Sequence, residues 1–177
     1  MNIKIKRLHD KAIVPLYAKH GDACFDLVAV STKITDKYIE YGTGLSMEIP
    51  EGYVGLVFAR SSVSDKDIML KNCVGIIDSC YRGEIKLRYA TINRSIKRKA
   101  TQDELERYII ENNITDVKEQ DYIKNSDDAM IHLADSYTNG DRVGQMMIIP
   151  VPFIQFEEVD NLSGTSRGDG GFGHTGI

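Results

Sequence analysis

Short apolar runs separated by turn-forming residues fill the chain from residue 1 to about 92. They fall at Ile3 to Leu8, Leu27 to Val30, Ser46 to Ile49, Tyr53 to Phe58 and Gly75 to Ile77, followed by Ile85, Leu87 and Tyr89 with period two. Runs this short, punctuated by Gly, Asp and Asn, predict strands of an antiparallel sandwich or barrel rather than alternating strand and helix units. The pattern resumes from Gly140 to Phe156 and ends there. Between these parts, residues 84 to 139 hold neither glycine nor proline. Thr101 and Glu104 have capping-box form, and Leu105, Tyr108, Ile109 and Asn112 share a helical face, which predicts a helix over 101–112. The chain thus reads as an all-β domain over 1–160, interrupted by a charged, helix-bearing insertion at about 93–135. That insertion is expected to be a solvated decoration. Residues 161–177 are rich in Ser, Gly and Thr and predict a flexible C-terminal arm.

Composition narrows the picture. At 177 residues with 42% hydrophobic content, the chain is long enough to bury one core without disulfides or structural metal. Cys24, Cys73 and Cys80 form neither an even set nor a CxxC pair, so reduced thiols in the cytoplasm, or in a host cytoplasm for a viral chain, are expected. The apolar run Met146 to Ile154 is broken by Pro150 and Pro152 and is too short to span a bilayer, so no membrane role is expected. The N-terminus alternates polar and apolar residues as a strand does, where a signal peptide would be continuously apolar. A net charge of −4 removes the counterion-release drive to nucleic acid, although a small anionic ligand remains open to local arrangement.

GxxxxGK, HExxH, PCxxC and GxSxG are all absent, and the four histidines are scattered. Five polar clusters at strand ends remain. Asp26 lies among apolar neighbours in Ala23 to Leu27. Arg60, Ser61 and Ser62 follow the strand Tyr53 to Phe58, where two hydroxyls and a guanidinium suit phosphate oxygens. The densest cluster, Asn72 to Ile85, carries Asp78 at the end of an apolar run and Tyr81 in the turn that follows. In residue terms that carboxylate is either a β-turn aspartate or a general base beside an aromatic wall. Arg142 and Gln145 flank a strand start. The tail, Ser166 to Gly176, sets Arg167 and Phe172 among glycines, a composition that can wrap phosphates with N–H groups and stack a ring on a base.

Taken in order, these five segments resemble the five motifs of the homotrimeric dUTP nucleotidohydrolases (dUTPases), along nearly the whole chain apart from residues 93 to 135. The resemblance implies a β jelly roll, or distorted barrel, whose trimer builds three active sites from three chains. It implies that Asp78 activates the water that attacks the α-phosphorus of dUTP. Tyr81 would lie under the deoxyribose and exclude a 2′-hydroxyl. Asn72, with Gly75, Ile77 and the hairpin backbone, would read the uracil edge. Arg60, Ser61, Ser62 and Gln145 correspond to phosphate-contacting positions, and Asp26 to the residue that holds Mg²⁺ through water. Arg167, Phe172, Gly173 and Thr175 map onto the closing arm, with Phe172 stacking over uracil. Three positions depart from the family pattern: Cys24 and Ser62 stand where glycine is usual or common, and His174 where serine is usual.

Two other readings compete. The dCTP deaminases of the same fold, some of them bifunctional, also carry ArgSerSer, but Arg88 occupies the place of their catalytic glutamate and Tyr81 that of a tryptophan. A cation cannot shuttle the proton that deamination requires. Of a different class is a regulatory role in which the 93–135 insertion binds a protein partner.

Overall fold

The structure is a computed structural model and describes residues 1–35, 37–66, 68–92, 101–111, 113–125 and 136–170. Among the described residues ten strands form three antiparallel sheets: β1 (Lys4–Arg7), β2 (Phe25–Val28), β3 (Ser31–Ile34), β4 (Ile39–Gly42), β5 (Leu45–Glu48), β6 (Tyr53–Phe58), β7 (Ile68–Leu70), β8 (Gly75–Ile77), β9 (Lys86–Thr91) and β10 (Arg142–Pro150). One four-stranded sheet runs β2-β10-β6-β8, the other β3-β4-β9-β7, and β1 pairs with β5. The all-β expectation therefore stands, as a jelly-roll-like sandwich. Strand β9 shows how the sequence achieves it. Leu87 and Tyr89 point inward and are buried, while Lys86 and Arg88 point outward. That alternation is the strand period itself.

The inward faces share one apolar cluster that includes Leu27, Tyr41, Leu87, Tyr89, Val143 and Met146. Three tyrosine rings, those of Tyr41, Tyr89 and Tyr137, meet edge to face with centroids 5.8–5.9 Å apart. Buried hydroxyls need partners. The Tyr89 hydroxyl donates to the Val143 carbonyl at 2.6 Å, and the Tyr41 hydroxyl accepts from the Tyr137 N–H at 2.9 Å. Gly55 on β6 leaves the space that Met146 fills; a Cβ there would also stand 2.8 Å from Ile49 Cδ1.

The insertion is more than a solvated decoration. Helix α1 (Gln102–Glu111) forms where the periodicity predicts it, and a second helix, α2 (Val117–Asn125), follows. Asp116 starts α2 by accepting the Glu119 N–H at 2.9 Å, a cap that offsets one unpaired backbone donor. Leu105, Tyr108 and Ile109 of α1 and Ile123 of α2 are buried in the same cluster as the strands. Asp103, Glu106, Arg107 and Glu111 of α1 are exposed on its other faces. Leu105→Ala should therefore destabilise the protein by about 2–5 kcal/mol, as for any fully buried leucine. Urea unfolding checks it, since a decoration would show almost no change.

Beyond β10, residues 151–162 carry neither helix nor strand. Phe153 and Phe156 are 89% and 96% exposed, with Val151, Ile154, Val159 and Leu162 also open to solvent. Among the described residues no helix is long and apolar enough to cross a membrane.

Candidate active site

Two clusters of candidate residues form, and each owes its position to β6. The first lies along its β8 edge. Cys73 adopts a left-handed φ of 58°, which lets Val74 N–H turn back to the Asn72 carbonyl at 2.5 Å. β8 then pairs with β6, Gly75 opposite Val57 and Ile77 opposite Gly55. At Gly75 a Cβ would press on Val57 Cβ at 3.1 Å. Asp78 leaves the strand into a turn closed by Tyr81 N–H on the Asp78 carbonyl at 3.0 Å. The Tyr81 hydroxyl donates to the Glu84 carbonyl at 3.0 Å, and Ser46 Oγ ties the turn to β5 by donating to the Arg82 carbonyl at 2.7 Å. A side chain at position 83 would collide with the Tyr81 ring, whose Cζ lies 2.5 Å from where its Cβ would stand, so Gly83 is what lets the ring lie flat there. Asn72, Gly75, Ile77, Asp78 and Tyr81 together line a cavity of about 340 Å³.

The opposite wall of that cavity is charged and was not foreseen from the sequence. Glu40 on β4 faces Arg88 on β9 in register. It accepts from Arg88 Nε at 2.7 Å and from Lys86 Nζ at 3.1 Å. Burial alone would raise the Glu40 carboxyl, but these two hydrogen bonds outweigh it and hold the group below the usual carboxylate range. Glu40 is therefore an anchored anion rather than a proton shuttle.

The second cluster sits past the other end of β6. Gln145 of β10 pairs with Asp26 of β2 on one side and Phe58 of β6 on the other, which gathers Asp26, Gln145 and Arg60. Arg60 Nε donates to Asp26 Oδ1 at 2.7 Å, Arg142 Nη1 to Asp26 Oδ2 at 3.2 Å, and Gln145 Nε2 to the Ala59 carbonyl at 3.1 Å. Ser61 and Ser62 open the short 3₁₀ helix Ser61–Asp65. Cys24, Asp26, Arg60, Arg142 and Gln145 line a second cavity of about 320 Å³. Burial, with the Asp26 charge beside it, pushes the Cys24 thiol up, so this unusual residue stays a neutral thiol. Arg142, at the strand start, is a half-exposed partner of Asp26.

One chain does not bring the two clusters together. Ile77 lies opposite Gly55, so Asp78 falls near Val54, while Arg60 lies six residues further on in extended backbone, two past the end of β6. At about 3.3 Å per residue that is roughly 20 Å. Arg167 reaches neither cluster; its Nε donates to the Gly170 carbonyl at 2.9 Å within the arm. Phe172, Gly173 and Thr175 lie outside the described residues. Among the described residues no three His, Cys, Asp or Glu side chains converge as a metal cage. Asp26, its oxygens each engaged by an arginine, fits contact with a hydrated hard cation better than direct ligation.

Comparison with known proteins identifies the family. A family model described as dUTPase matches residues 10–103. A deoxyuridine 5'-triphosphate nucleotidohydrolase from a Hydrogenobaculum species is 32% identical over 100% of this chain and 99% of its own, and that of Finegoldia magna 34% identical over 99% of each. The chain belongs to the dUTPase family. The dUTPase of Staphylococcus bacteriophage 80alpha, solved with dUPNHPP, superposes with a TM-score of 0.71 over 99% of both chains at 24% identity, which speaks for the fold.

Proposed function

We propose that this chain hydrolyses dUTP to dUMP and pyrophosphate, which keeps uracil out of DNA and supplies dUMP for thymidylate synthesis. The observation that carries the reading is Asp78 at the mouth of the β8 hairpin, in one cavity with Asn72 and Tyr81, in a member of the dUTPase family. Asp78 takes the proton of the water that attacks the α-phosphorus. Tyr81 lies against the deoxyribose, and the tight turn held by its bonds to Asp78 and Glu84 leaves no room for a 2′-hydroxyl. Asn72 and the backbone at Gly75 and Ile77 receive the uracil edge, where a mismatched base would leave buried polar groups unpaired.

Arg60, Ser61, Ser62 and Gln145 hold the phosphates and stabilise charge as pyrophosphate departs. Because Arg60 lies roughly 20 Å from Asp78 along the line of β6, this cluster serves a site whose Asp78 belongs to another copy. Family resemblance makes that assembly a homotrimer with shared sites, and the apolar side chains exposed on residues 151–162 offer it a contact surface. The arm, with Arg167, Phe172, Gly173 and Thr175, closes over the nucleotide and excludes water. A Mg²⁺ ion chelated by the three phosphates, with Asp26 reaching its hydration shell, would neutralise triphosphate charge. Such an enzyme works in the cytoplasm, where its three free thiols remain reduced.

The test is to offer each dNTP and UTP with Mg²⁺ and measure pyrophosphate release. Turnover of dUTP far above the rest is expected. Intact dUTP after incubation with assembled protein would overturn the reading, and ammonia from dCTP would install the deaminase in its place.

A further inference from the structure

The charged wall facing the hairpin has no part in the hydrolysis described above. Lys86 and Arg88 project from the outer face of β9, Glu40 projects beside them from β4, and all three line the nucleoside cavity. The two cations are not equivalent. Lys86 is held between two carboxylates, Glu40 at 3.1 Å and Glu84 at 3.4 Å, and these engage two of its three donors. Arg88 is held differently. Its Nε bonds Glu40 at 2.7 Å, and its guanidinium lies over the Tyr38 ring with Cζ 4.4 Å from the centroid. One edge is pinned and one face is stacked, so the plane is fixed, as this side chain permits and lysine does not. Among the described residues its terminal amino groups make no hydrogen bond, although the side chain borders the cavity.

Its place along the cavity decides what it can meet. Lys71 N–H donates to the Arg88 carbonyl at 2.9 Å, which sets Arg88 opposite the residue before Asn72, and both Arg88 and Asn72 line the cavity. Asp78 and Tyr81 stand beyond the far end of β8. The phosphate and sugar therefore belong to the Asp78 end and the base to the Arg88 end. Uracil carries a carbonyl acceptor at C4, where cytosine carries an amino donor. A guanidinium has donors only. It satisfies the first and confronts the second with a donor, leaving both groups unpaired as the cavity closes.

We propose that Arg88 is a specificity-determining residue, donating from its terminal nitrogens to the C4 carbonyl of uracil and rejecting the cytosine amino group. The inference rests on the dUTP reading and deepens it. Glu40 and Tyr38 are positioning residues for that guanidinium. A merely structural Arg88–Glu40 pair, half-exposed on the arginine side, would contribute little to stability and nothing to the choice of base.

The experiment uses the assembled full-length enzyme, with inhibition by dUMP and dCMP measured beside dUTP kinetics. In Arg88→Ala, the ratio of the dCMP to the dUMP inhibition constant should fall about tenfold to a hundredfold, the range of one charged hydrogen bond. The fall comes from weaker dUMP binding, and KM for dUTP should rise while kcat changes by less than about threefold, since a base contact formed equally in ground and transition state leaves kcat alone. Arg88→Gln keeps a donor for Glu40 and offers the base an amide with both donor and acceptor, so it should lose the same discrimination even where the alanine variant assembles poorly. An unchanged inhibition ratio in an assembled variant overturns the role of Arg88. Failure of the unsubstituted enzyme to turn over dUTP at all sinks the parent reading instead, and the inference with it.

Discussion

Asp78→Asn should lower kcat by at least ~10², the scale for loss of a general base, while KM for dUTP moves by less than about threefold. The amide has the size and shape of the carboxylate but cannot accept the proton of the attacking water. Its setting should survive the change. The turn after β8 is closed through the Asp78 backbone carbonyl and the Tyr81 N–H, and fixed from outside by Ser46 and Arg82. None of these bonds uses the carboxylate. Binding of a non-hydrolysable dUTP analogue, measured calorimetrically, should therefore stay near that of the unsubstituted enzyme. An Asp78→Asn enzyme that keeps its turnover would remove this residue from the role of base and return it to that of a turn aspartate. One that loses binding along with turnover would make it a structural member of the hairpin.

Much of this site is legible along the chain because each half is written in contiguous residues. Strands β6 and β8 coincide with the runs Tyr53–Phe58 and Gly75–Ile77 seen in the sequence, since each is a short apolar run bounded by turn residues. Strand β4 was not visible. All four residues of Ile39–Gly42 are buried, so no alternation marks it, and a glutamate in its middle looks like a surface residue until its two cationic partners are known. Helix α2 was missed for the opposite reason. Only Ile123 among its residues is buried, so its apolar signal is faint, although Asp116 three residues before Glu119 carries the cap that starts it. Arg88 and Glu40 lie 48 residues apart and acquire meaning only through the register of β4 and β9. Proximity in sequence also misleads. Arg60 and Asp78 are close neighbours along the chain, yet an antiparallel return through β8 carries the carboxylate back to the start of β6, away from the arginine at its end.

That separation leads to the second large effect. Arg60→Ala leaves Asp26 with Arg142 alone and would remove the proposed phosphate contact, so this variant, like Asp78→Asn, should be nearly inactive by itself. Chains of the two kinds, denatured and reassembled together in equal amounts, should regain about a quarter of the unsubstituted activity. In the proposed closed ring of identical chains, every site would take its Asp78 from one member and its Arg60 from the next. With random mixing each requirement is met half the time, independently. Refolding either variant alone supplies the control and should restore nothing. Were Asp78 and Arg60 to serve the same site from one chain, no mixed assembly would contain an intact site and the mixture would stay inactive. Recovery thus depends on the length of β6 and on shared sites between copies, whereas the Asp78→Asn result depends only on the chemistry of one carboxylate.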